Sequence, residues 1–391
     1  MNYILFDGPA RNALLPFTYT RPVADIRVGI LTIREKWEAY LGNTTTTVTE
    51  EYLSSKYPMV EMEANVMING SFLPNKKLVA LIQQLQENEA IFLNDEVIAF
   101  YTKDTQDTVD FETYTAIEYT GNVTQIANTW SIFAENGAAI AADYELLTQG
   151  RKSAPIATTN TVMHPERIFL EEGAKVACSI LNASDGPIYI GKNSEVMEGS
   201  IIRGAFALCE NAIVKMGAKI YGATTIGPHC RVGGEVNNVV LFAYSNKGHD
   251  GFLGNSVLGE WCNLGADTNN SNLKNNYDQV RLWSYETEGF AKTGQQFCGL
   301  MMGDHSKCGI NTMFNTGTVV GVNANIFGSG FPRNFVPSFS WGGASGFTTY
   351  LPKKAFETAK TMMARRAVEF DEKEAAILNH VFEETKKWRK G

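Results

Sequence analysis

A polar segment in the middle of the chain holds the side chain best suited to proton transfer. His249 lies in the sequence Ser-Asn-Lys-Gly-His-Asp-Gly, residues 245–251. A general base for acyl transfer should titrate near neutral pH, as histidine ordinarily does. The glycines on either side allow the backbone to approach a ligand closely. We therefore predict that His249 is a catalytic base, and the alternative is an ordinary histidine in a surface turn.

Asparagine is concentrated shortly after this segment. Residues 262–274 read Cys-Asn-Leu-Gly-Ala-Asp-Thr-Asn-Asn-Ser-Asn-Leu-Lys, with four asparagines and one threonine. Amide side chains both donate and accept hydrogen bonds, so they can bind the hydroxyl groups of a sugar. The stretch predicts a sugar-binding surface, and the alternatives are an asparagine ladder or a polar loop that leaves the fold.

Both polar segments lie within a repeat of six residues. An apolar residue occupies every sixth position in two blocks, and the residue four positions later is usually small. The thirteen period-six positions are Ile190, Val196, Ile202, Leu208, Val214, Ile220, Ile226, Val232, Met302, Cys308, Phe314, Val320 and Ile326. Between the blocks, Leu258 and Leu264 keep the period, with Phe252 six positions earlier. The gap of eight from Val232 to Val240 predicts an insertion of two residues.

A period of six fits neither an α-helix, which repeats near 3.6 residues, nor an isolated strand, which repeats every two. It predicts a solenoid whose coils each contain three short strands, with one aliphatic side chain per strand pointing inward. The small residues then fit the crowded corners of a triangular prism. Chance spacing in an all-β domain is the alternative.

The first 120 residues predict an α/β domain. Apolar runs at 3–6 and 66–68 predict strands, and helices are expected over 30–41 and 78–85. The apolar runs at 90–93 and 97–101 flank Asn-Asp-Glu, which predicts a hairpin. Strands that alternate with helices favour a three-layer arrangement.

The other segments complete the expected domain organisation. Residues 121–160 are predicted to be a helical connector, with its helix over 126–147, and residues 161–345 the β-solenoid. Residues 346–391 are predicted to be C-terminal α-helices, because apolar residues recur at helical spacing from Pro352 to Lys390. We expect this pair of helices to pack on the prism or on a partner subunit.

Charge and composition exclude several classes of protein. The chain has 391 residues, with 34 Lys and Arg against 42 Asp and Glu, and its net charge is −8. A general nucleic-acid binder should be basic, so that class is excluded. We expect no signal peptide and no membrane span, and therefore a cytoplasmic protein. The six cysteines form no Cys-x-x-Cys pair and are expected to be free buried thiols.

Residues 176–327, which carry the repeat, resemble the hexapeptide-repeat acyltransferases. That resemblance implies a left-handed parallel β-helix, and the handedness comes from the resemblance because spacing alone does not give it. It also implies a homotrimer whose active sites lie in the clefts between neighbouring prisms.

Five short motifs sharpen this resemblance. Gly248-His249, residues 263–266, residues 272–274, Gly303-Asp304 and residues 309–311 together resemble the acetyltransferase half of bifunctional amino-sugar-1-phosphate enzymes. Enzymes of this family acetylate glucosamine-1-phosphate with acetyl-CoA and then attach a nucleotide to give UDP-N-acetylglucosamine. Archaeal-type members are the most similar.

The resemblance assigns a role to each polar residue of this half. It implies that His249 is the general base and that Asn263 and Asn272 line the sugar pocket. Lys247 and Lys274 would bind sugar or acetyl-CoA and stabilise charge on the oxyanion and the phosphate. The tyrosine that often follows the base by three residues is Phe252 in this chain.

The amino terminus resembles the nucleotidyltransferases of this class. Leu14, Pro16, Thr18 and Pro22 match the Leu-x-Pro-Leu-Thr motif and the proline that follows it. The resemblance implies a nucleotide site formed by Gly8, Arg11, Thr18, Arg21, Asn69 and Gly70. It implies Mg²⁺ as a cofactor, with the metal ligands left open because Ser71 stands where the family often has an acid. The whole chain most resembles the divergent, Bacteroidetes-type version of the bifunctional enzyme.

The expected function is sugar-nucleotide synthesis by acetyl transfer and nucleotidyl transfer. The expected partners are a sugar-1-phosphate, a nucleoside triphosphate and acetyl-CoA. One rival is a sugar-1-phosphate nucleotidyltransferase, such as a glucose-1-phosphate thymidylyltransferase, whose β-helix is purely structural. The other rival is a non-catalytic sugar-nucleotide-binding protein.

Overall fold

A computed structural model describes residues 1–103 and 109–389. The amino-terminal sheet has the strand order β2-β1-β3-β5-β4-β6, and β5 runs antiparallel to the others. Its strands are β1 (Asn2–Phe6), β2 (Thr46–Val48), β3 (Asn65–Asn69), β4 (Glu89–Leu93), β5 (Glu96–Thr102) and β6 (Thr115–Glu118). The predicted hairpin is present as β4 and β5.

The helices are α1 (Ala10–Ala13), α2 (Ile33–Leu41), α3 (Glu51–Ser54), α4 (Lys76–Ile82), α5 (Thr129–Ala134), α6 (Asn136–Thr148), α7 (Pro352–Ala364) and α8 (Glu372–Glu384). Short 3-10 helices span Phe17–Tyr19, Val23–Asp25, Phe111–Thr113, Pro165–Arg167 and Thr385–Trp388. Helix α2 begins three residues later than predicted, because Thr32 is its N-cap and forms a capping box with Glu35.

Helices α2 and α4 lie on the same side of the amino-terminal sheet. Trp37 of α2 and Leu78 of α4 belong to the same apolar core as Leu5 of β1. Ile4 lies in a separate cluster on the opposite side, which Phe111 of a 3-10 helix helps to cover. The predicted three-layer arrangement is therefore wrong for the described residues, because this second side is covered by a short 3-10 helix and irregular chain and by no α-helix.

Residues 161–349 form a left-handed parallel β-helix of about ten turns within the described part of the chain. Its first strands are β7 (Thr161–Met163), β8 (Ile168–Leu170), β9 (Lys175–Val176), β10 (Ile180–Asn182), β11 (Ile188–Ile190), β12 (Glu195–Val196), β13 (Ile201–Arg203), β14 (Phe206–Leu208), β15 (Ile213–Val214), β16 (Lys219–Tyr221), β17 (Thr224–Ile226) and β18 (Arg231–Val232). The middle strands are β19 (Glu235–Leu241), β20 (Asn246–Lys247), β21 (Phe252–Leu258), β22 (Asn263–Leu264), β23 (Asn269–Asn270), β24 (Arg281–Ser284) and β25 (Gly289–Lys292). The last are β26 (Leu300–Met302), β27 (Lys307–Cys308), β28 (Met313–Phe314), β29 (Thr318–Val320), β30 (Asn325–Ile326), β31 (Phe335–Val336), β32 (Ser340–Gly343) and β33 (Gly346–Thr349).

Each coil visits three faces in turn, and we name each corner by the two faces that it joins. The first face contains β7, β10, β13 and β16, and the second contains β8, β11, β14 and β17. The longer strands β19 and β21 continue from the first face round the 1/2 corner into the second. The third face runs from β9 through β20 and β22 to β32. Strands β24 and β25 form an antiparallel hairpin inserted between β23 and β26.

The period-six prediction is confirmed. All thirteen positions are buried and belong to one apolar core inside the prism. Leu258 and Leu264 join the same core, but Phe252 does not, because Leu253 takes the inward position. The repeat therefore specifies the inside of the prism.

The predicted insertion between Val232 and Val240 is wrong. Strand partners on the third face are 18 residues apart for Val214 and Val232 but only 15 apart for Val232 and Lys247. This coil is therefore three residues shorter than its neighbour. The 3/1 corner of this coil has two residues, 233–234, whereas that of the preceding coil has four. The 1/2 corner that follows is one residue shorter than the 1/2 corner of the preceding coil.

The second face is covered by the rest of the chain. Ile140 of α6 packs with Tyr189 and Ala207 on its outer side. Val240 and Met301, further along the same face, share the core of the amino-terminal domain. The predicted connector helix over 126–147 is present as α5 and α6, with a break at residue 135.

The carboxyl-terminal helices pack on both domains. Leu378 and Val381 of α8 belong to the same core as the amino-terminal sheet. Residues 365–371 separate α7 from α8, and the predicted end of the stretch at Lys390 lies outside the described residues.

Two further expectations concern membranes and cysteines. Within residues 1–103 and 109–389, no helix has the length and apolar character needed to cross a membrane. The cysteines are free, and Cys178 is exposed whereas the other five are buried. The expectation of buried thiols therefore fails at Cys178.

Candidate functional site

His249 lies at a 3/1 corner, between β20 and β21. The corner is a regular turn of the prism, residues 248–251, and not an insertion. It is fixed by backbone hydrogen bonds from Glu235 N to Gly251 O and from Asp267 N to Asp250 O. Gly251 has φ of +109°, and a Cβ there would lie 2.2 Å from the carbonyl oxygen of Thr268. The backbone at this corner is thus rigid, while the His249 side chain is exposed to solvent.

Lys247 occupies an aliphatic position of the repeat, opposite Val232 on the preceding coil. Its side chain is buried in the prism, and its ammonium donates to the carbonyl oxygens of His249 at 2.5 Å and Asp250 at 3.1 Å. Burial lowers the pKa of Lys247 to about 8. In this structure the charge of Lys247 is therefore directed inward, to the backbone of the corner that carries His249.

The predicted sugar-binding residues lie at separate places on the prism. Asn263 is on the third face, where its strand pairs with Asn246. Asn272 and Lys274 lie at the 1/2 corner, where the inserted hairpin leaves the prism. The first face between His249 and this corner is three residues wide, which is about 10 Å at 3.3 Å per residue. In one chain, His249 and Asn272 therefore lie at opposite edges of the first face.

Other asparagines of the same stretch support the backbone. Asn269 Oδ1 accepts from Phe252 N at 2.7 Å, and Asn270 Oδ1 accepts from Gly254 N at 2.8 Å. Asn272 Nδ2 donates to Asn255 Oδ1 at 2.8 Å. Asn269 and Asn270 thus hold the backbone of the neighbouring coil, and they do not stack in a ladder, because their strand pairs with Met313 and Phe314.

Three of the predicted nucleotide-binding residues, Gly8, Asn69 and Gly70, lie together where β1 and β3 end. A Cβ on Gly8 would lie 2.6 Å from the Asn69 amide, so only glycine fits there. Asn69 is buried and donates to Glu96 Oε1 and Val97 O, both at 3.2 Å, while its oxygen accepts from Ser71. The Asn69 amide is therefore already hydrogen-bonded within the domain.

Arg11 lines a cavity of 590 Å³ beside this point. Its guanidinium contacts Asp7 at 3.1 Å, Glu50 at 3.3 Å and the Tyr52 hydroxyl at 2.9 Å. Helix α8 closes the far wall, where His380 stacks on Tyr52 with ring centroids 3.8 Å apart. The remaining acids in the lining are Glu51 and Glu384. The carboxylates outnumber the single arginine, which disfavours an unneutralised triphosphate.

Thr18 and Arg21 face away from that cavity. Thr18 is buried and donates to Arg11 O at 2.7 Å. Arg21 forms a bidentate contact with Asp304 of the β-helix, at 3.1 and 2.6 Å, and packs over the ring of Phe242. Burial alone would lower the pKa of Arg21, but the carboxylates of Asp304 and Glu260 outweigh it and raise that pKa. In this structure the Arg21 guanidinium is therefore bound by acids of the β-helix and does not line the cavity beside β1.

The described residues do not fit the magnesium site that the resemblance implies. Such a site ordinarily uses one or two carboxylates. Asp7 at the end of β1 is the nearest acid to Gly8 in sequence, but its Oδ1 accepts from Val23 N and its Oδ2 from Arg11 and Thr49. Burial raises the pKa of Asp7, against the lowering effect of these partners. Within the described ranges, no group of three or more His, Cys, Asp or Glu could hold a metal ion.

Sequence reasoning missed a buried ionic cluster at the 2/3 corner. Besides Arg21 and Asp304, it contains Glu260, whose carboxylate lies 3.5 Å from Arg21. Lys56 and Glu374 of α8 form a 2.5 Å ion pair next to it. The sequence signal for this cluster was Asp304, an acidic residue between two apolar positions of the repeat. The residues near it in sequence gave no indication of its partners.

Several known proteins are similar to parts of this chain. Residues 3–152 match the family model described as sugar nucleotidyl transferase. A bifunctional protein GlmU from Trichodesmium erythraeum is 29% identical over 140 residues, which cover 35% of this chain and 25% of that protein. An uncharacterized acetyltransferase, YaiX, from Escherichia coli O6:K15:H31 is 26% identical over 149 residues, or 38% of this chain and 64% of that protein. The chain thus spans a quarter to under two thirds of these relatives.

Among the solved structures that align with this chain is a UDP-N-acetylglucosamine acyltransferase from Campylobacter jejuni. It aligns with 60% of this chain and 83% of its own at 14% identity and a TM-score of 0.15, which is too low to carry an argument. The relatives as a group support a transferase. Residues 3–152 thus match the sugar nucleotidyl transferase family model, in a chain whose second part is a left-handed β-helix.

Proposed function

We propose that this chain transfers an acetyl group from acetyl-CoA to an amino-sugar-1-phosphate, in a pathway of the UDP-N-acetylglucosamine type, with His249 as the general base. The observation that carries the proposal is the exposed His249 on a corner whose backbone is held by Gly251 and by the buried ammonium of Lys247. A base on a rigid support is prepared for proton transfer without reorganisation.

In the proposed reaction, the amine nitrogen of the sugar attacks the carbonyl carbon of the thioester. As the N–C bond forms, His249 accepts a proton from the nitrogen. The C–S bond then breaks, and the thiolate leaves with the proton that His249 returns. The products are an N-acetyl sugar phosphate and a free thiol. General-base catalysis of this kind contributes about 10²–10⁴-fold to the rate.

We further propose that a homotrimer completes the site. Ile180 and Ile201 lie on the outer side of the first face with 37% and 47% of their surface exposed, and Met313 further along is 37% exposed. Burying such side chains against neighbouring copies is favourable. In a trimer packed through this face, the 3/1 corner of one chain with His249 can lie next to the 1/2 corner of its neighbour with Asn272.

A second candidate activity is nucleotidyl transfer to the sugar phosphate by residues 3–152. The match of that segment to the sugar nucleotidyl transferase family favours it. The 590 Å³ cavity beside the end of β1 has room for a ligand, but the acids around Arg11 require a triphosphate bound there to be neutralised. Gly8, Arg11, Asn69 and Gly70 remain the proposed nucleotide contacts. With both activities, the chain would be a bifunctional enzyme of the divergent Bacteroidetes type.

A single assay with omissions tests these proposals. The protein is incubated with glucosamine-1-phosphate, acetyl-CoA and UTP, each omitted in turn, while free thiol and pyrophosphate are measured separately. Thiol release that requires glucosamine-1-phosphate and acetyl-CoA but not UTP supports acetyl transfer. Pyrophosphate release without thiol would favour the nucleotidyltransferase whose β-helix is structural. Ligand binding without either product would favour a binding protein.

A further inference from the structure

A second cavity lies far along the prism, between the inserted hairpin and the last coils. Its volume is 660 Å³, and its walls come from strands β24 and β25, the start of the insertion and the segment around β31. The cavity opens at the 1/2 corner, across the first face from His249. It is therefore distinct from the corner that carries the proposed base.

The lining of this cavity is strongly basic. Lys274, Arg281 and Arg333 contribute three cations, and no carboxylate lines the cavity among the described residues. Within residues 1–103 and 109–389, none of the three forms an ion pair within 4.0 Å. Arg281 also stands directly opposite Lys292 in the hairpin, a like-charge pair that destabilises a sheet. Lys274 and Arg281 do donate to the carbonyl oxygens of Gln279 and Phe290, but these are neutral acceptors. In a chain with net charge −8, this concentration of cations without acidic partners favours an anionic ligand.

Aromatic rings form the other wall. Trp283 stacks on Phe335 with centroids 4.1 Å apart and an angle of 9° between the rings. Phe290 meets the edge of Trp283 at 5.6 Å and is 38% exposed. A half-exposed ring system beside cations is the surface on which nucleobases stack while their phosphates are bound.

The basic wall continues into an adjoining cavity of 300 Å³. Arg333 and Phe335 line both cavities, and the second adds Arg389 and Trp388. The combined groove can therefore hold a ligand longer than a single phosphate. A planar base at one end and a polyphosphate along the cations would use both kinds of wall.

From this arrangement we infer that the groove binds the nucleotide end of a phosphorylated substrate, with the base on Phe290 and Trp283 and the phosphates on Lys274, Arg281 and Arg333. The inference rests on the proposed function only in naming the sources of the ligand. The nucleotide would be the adenosine phosphate of acetyl-CoA or the uridine diphosphate of a sugar nucleotide. Both share a heteroaromatic base joined to phosphates.

Calorimetric titration of the full chain at low ionic strength tests the inference. The probes are adenosine 3′,5′-bisphosphate, UDP, pyrophosphate and adenosine. We expect one of the two nucleotides to bind at least tenfold more tightly than pyrophosphate or adenosine, because only a nucleotide engages both walls. Tighter binding of the bisphosphate would identify acetyl-CoA as the source, and tighter binding of UDP would identify the sugar nucleotide.

Two variants locate the binding. Arg333→Gln and Arg281→Gln should each raise the dissociation constant of the nucleotide at least fivefold. Arg203→Gln, a matched change on the first face, should leave that constant unchanged. Arg333→Gln keeps the test decisive if Arg281→Gln disturbs the hairpin, because Arg281 also donates to Phe290 O. Absence of nucleotide binding, or binding that both variants leave intact, would overturn the inference. Nucleotide binding that depends on Arg333 in a protein without acetyl transfer would support it and count against the proposed function alone.

Discussion

The guanidinium of Arg21 and the carboxylate of Asp304 form a bidentate buried ion pair between residues 283 positions apart. Both side chains are 4% exposed, and Thr20 adds a hydrogen bond to the same carboxylate at 2.7 Å. The pair joins the loop after β1 to the 2/3 corner of the β-helix. The motif that resembles a nucleotide-binding loop therefore serves, at Arg21, to fix the two domains to each other.

Removing one partner of this pair should destabilise the whole protein. Arg21→Met leaves the buried Asp304 carboxylate without its arginine, and Asp304→Leu leaves Arg21 with only Glu260 at 3.5 Å. We therefore expect each to lose about 3–5 kcal/mol in the free energy of unfolding. The double variant should recover a large part of that loss. Urea denaturation measures both effects, with Arg203→Met as the control because its partner Asp185 is exposed. Single and double variants of equal stability would contradict this account.

The repeat predicts different outcomes for two isoleucines on neighbouring strands. Ile220 is 1% exposed inside the prism, and Ile201 is 47% exposed on its outer side. Ile220→Asp should unfold the β-helix, because an unpaired buried charge is strongly unfavourable. Ile201→Asp should retain the circular dichroism spectrum of the parent. An Ile220→Asp protein that unfolds at the parental temperature would refute the assignment of this position to the core.

Acetyl transfer should depend on His249 without a matching effect on stability. His249→Ala should lower kcat about 10²–10⁴-fold, since the variant lacks the general base. The sugar KM should change less than kcat, because a base acts mainly in the transition state. Thiol release from acetyl-CoA measures both, and thermal unfolding checks that the exposed side chain contributes little to the fold. Parental kcat in the variant would remove His249 from the mechanism.

A site shared between subunits should allow complementation. His249→Ala and Asn272→Ala proteins, each inactive alone, should regain thiol release when unfolded together and refolded as mixed trimers, because some clefts then receive both native residues. In parallel, sedimentation should show a trimer for the parent and monomers for Ile201→Asp, since that change places charge on the first face. A mixture as inactive as its components would place both residues in a single-chain site.

The buried ammonium of Lys247 should give the protein a distinct dependence of stability on pH. Its pKa falls from 10.5 to about 8 on folding, so the unfolded chain binds more protons between these values. Stability should therefore rise with pH from 8 to 10.5, by about 3 kcal/mol from this residue. Lys247→Met should remove that rise and be more stable at pH 7. The measurement is the urea midpoint of the parent and of Lys247→Met at pH 7 and pH 10. An equal dependence of stability on pH in the two proteins would contradict the prediction.

The interior of the β-helix was predictable because each strand places one aliphatic residue inward. This requirement leaves an apolar residue at every sixth position of the sequence. Lys247 was not predictable as a core residue, because the coil before it is three residues shorter and the period loses its register. The contact between Arg21 and Asp304 was not predictable for a different reason. A local motif indicates what precedes and follows a residue in the chain, but the partner of Arg21 is fixed only by how two domains pack.

That long separation also has a consequence for synthesis. Ribosomes add about 5–20 residues per second, so Asp304 follows Arg21 out of the ribosome about 15–60 s later. During that time Phe17 and Val23, which are fully buried in the finished protein, lack the β-helix surface on which their loop packs. The apolar core of the amino-terminal domain can therefore be completed only after the last coils of the chain have been synthesised. Slowed or truncated translation after the first domain would leave an apolar loop exposed, and such chains are the ones we expect chaperones to bind.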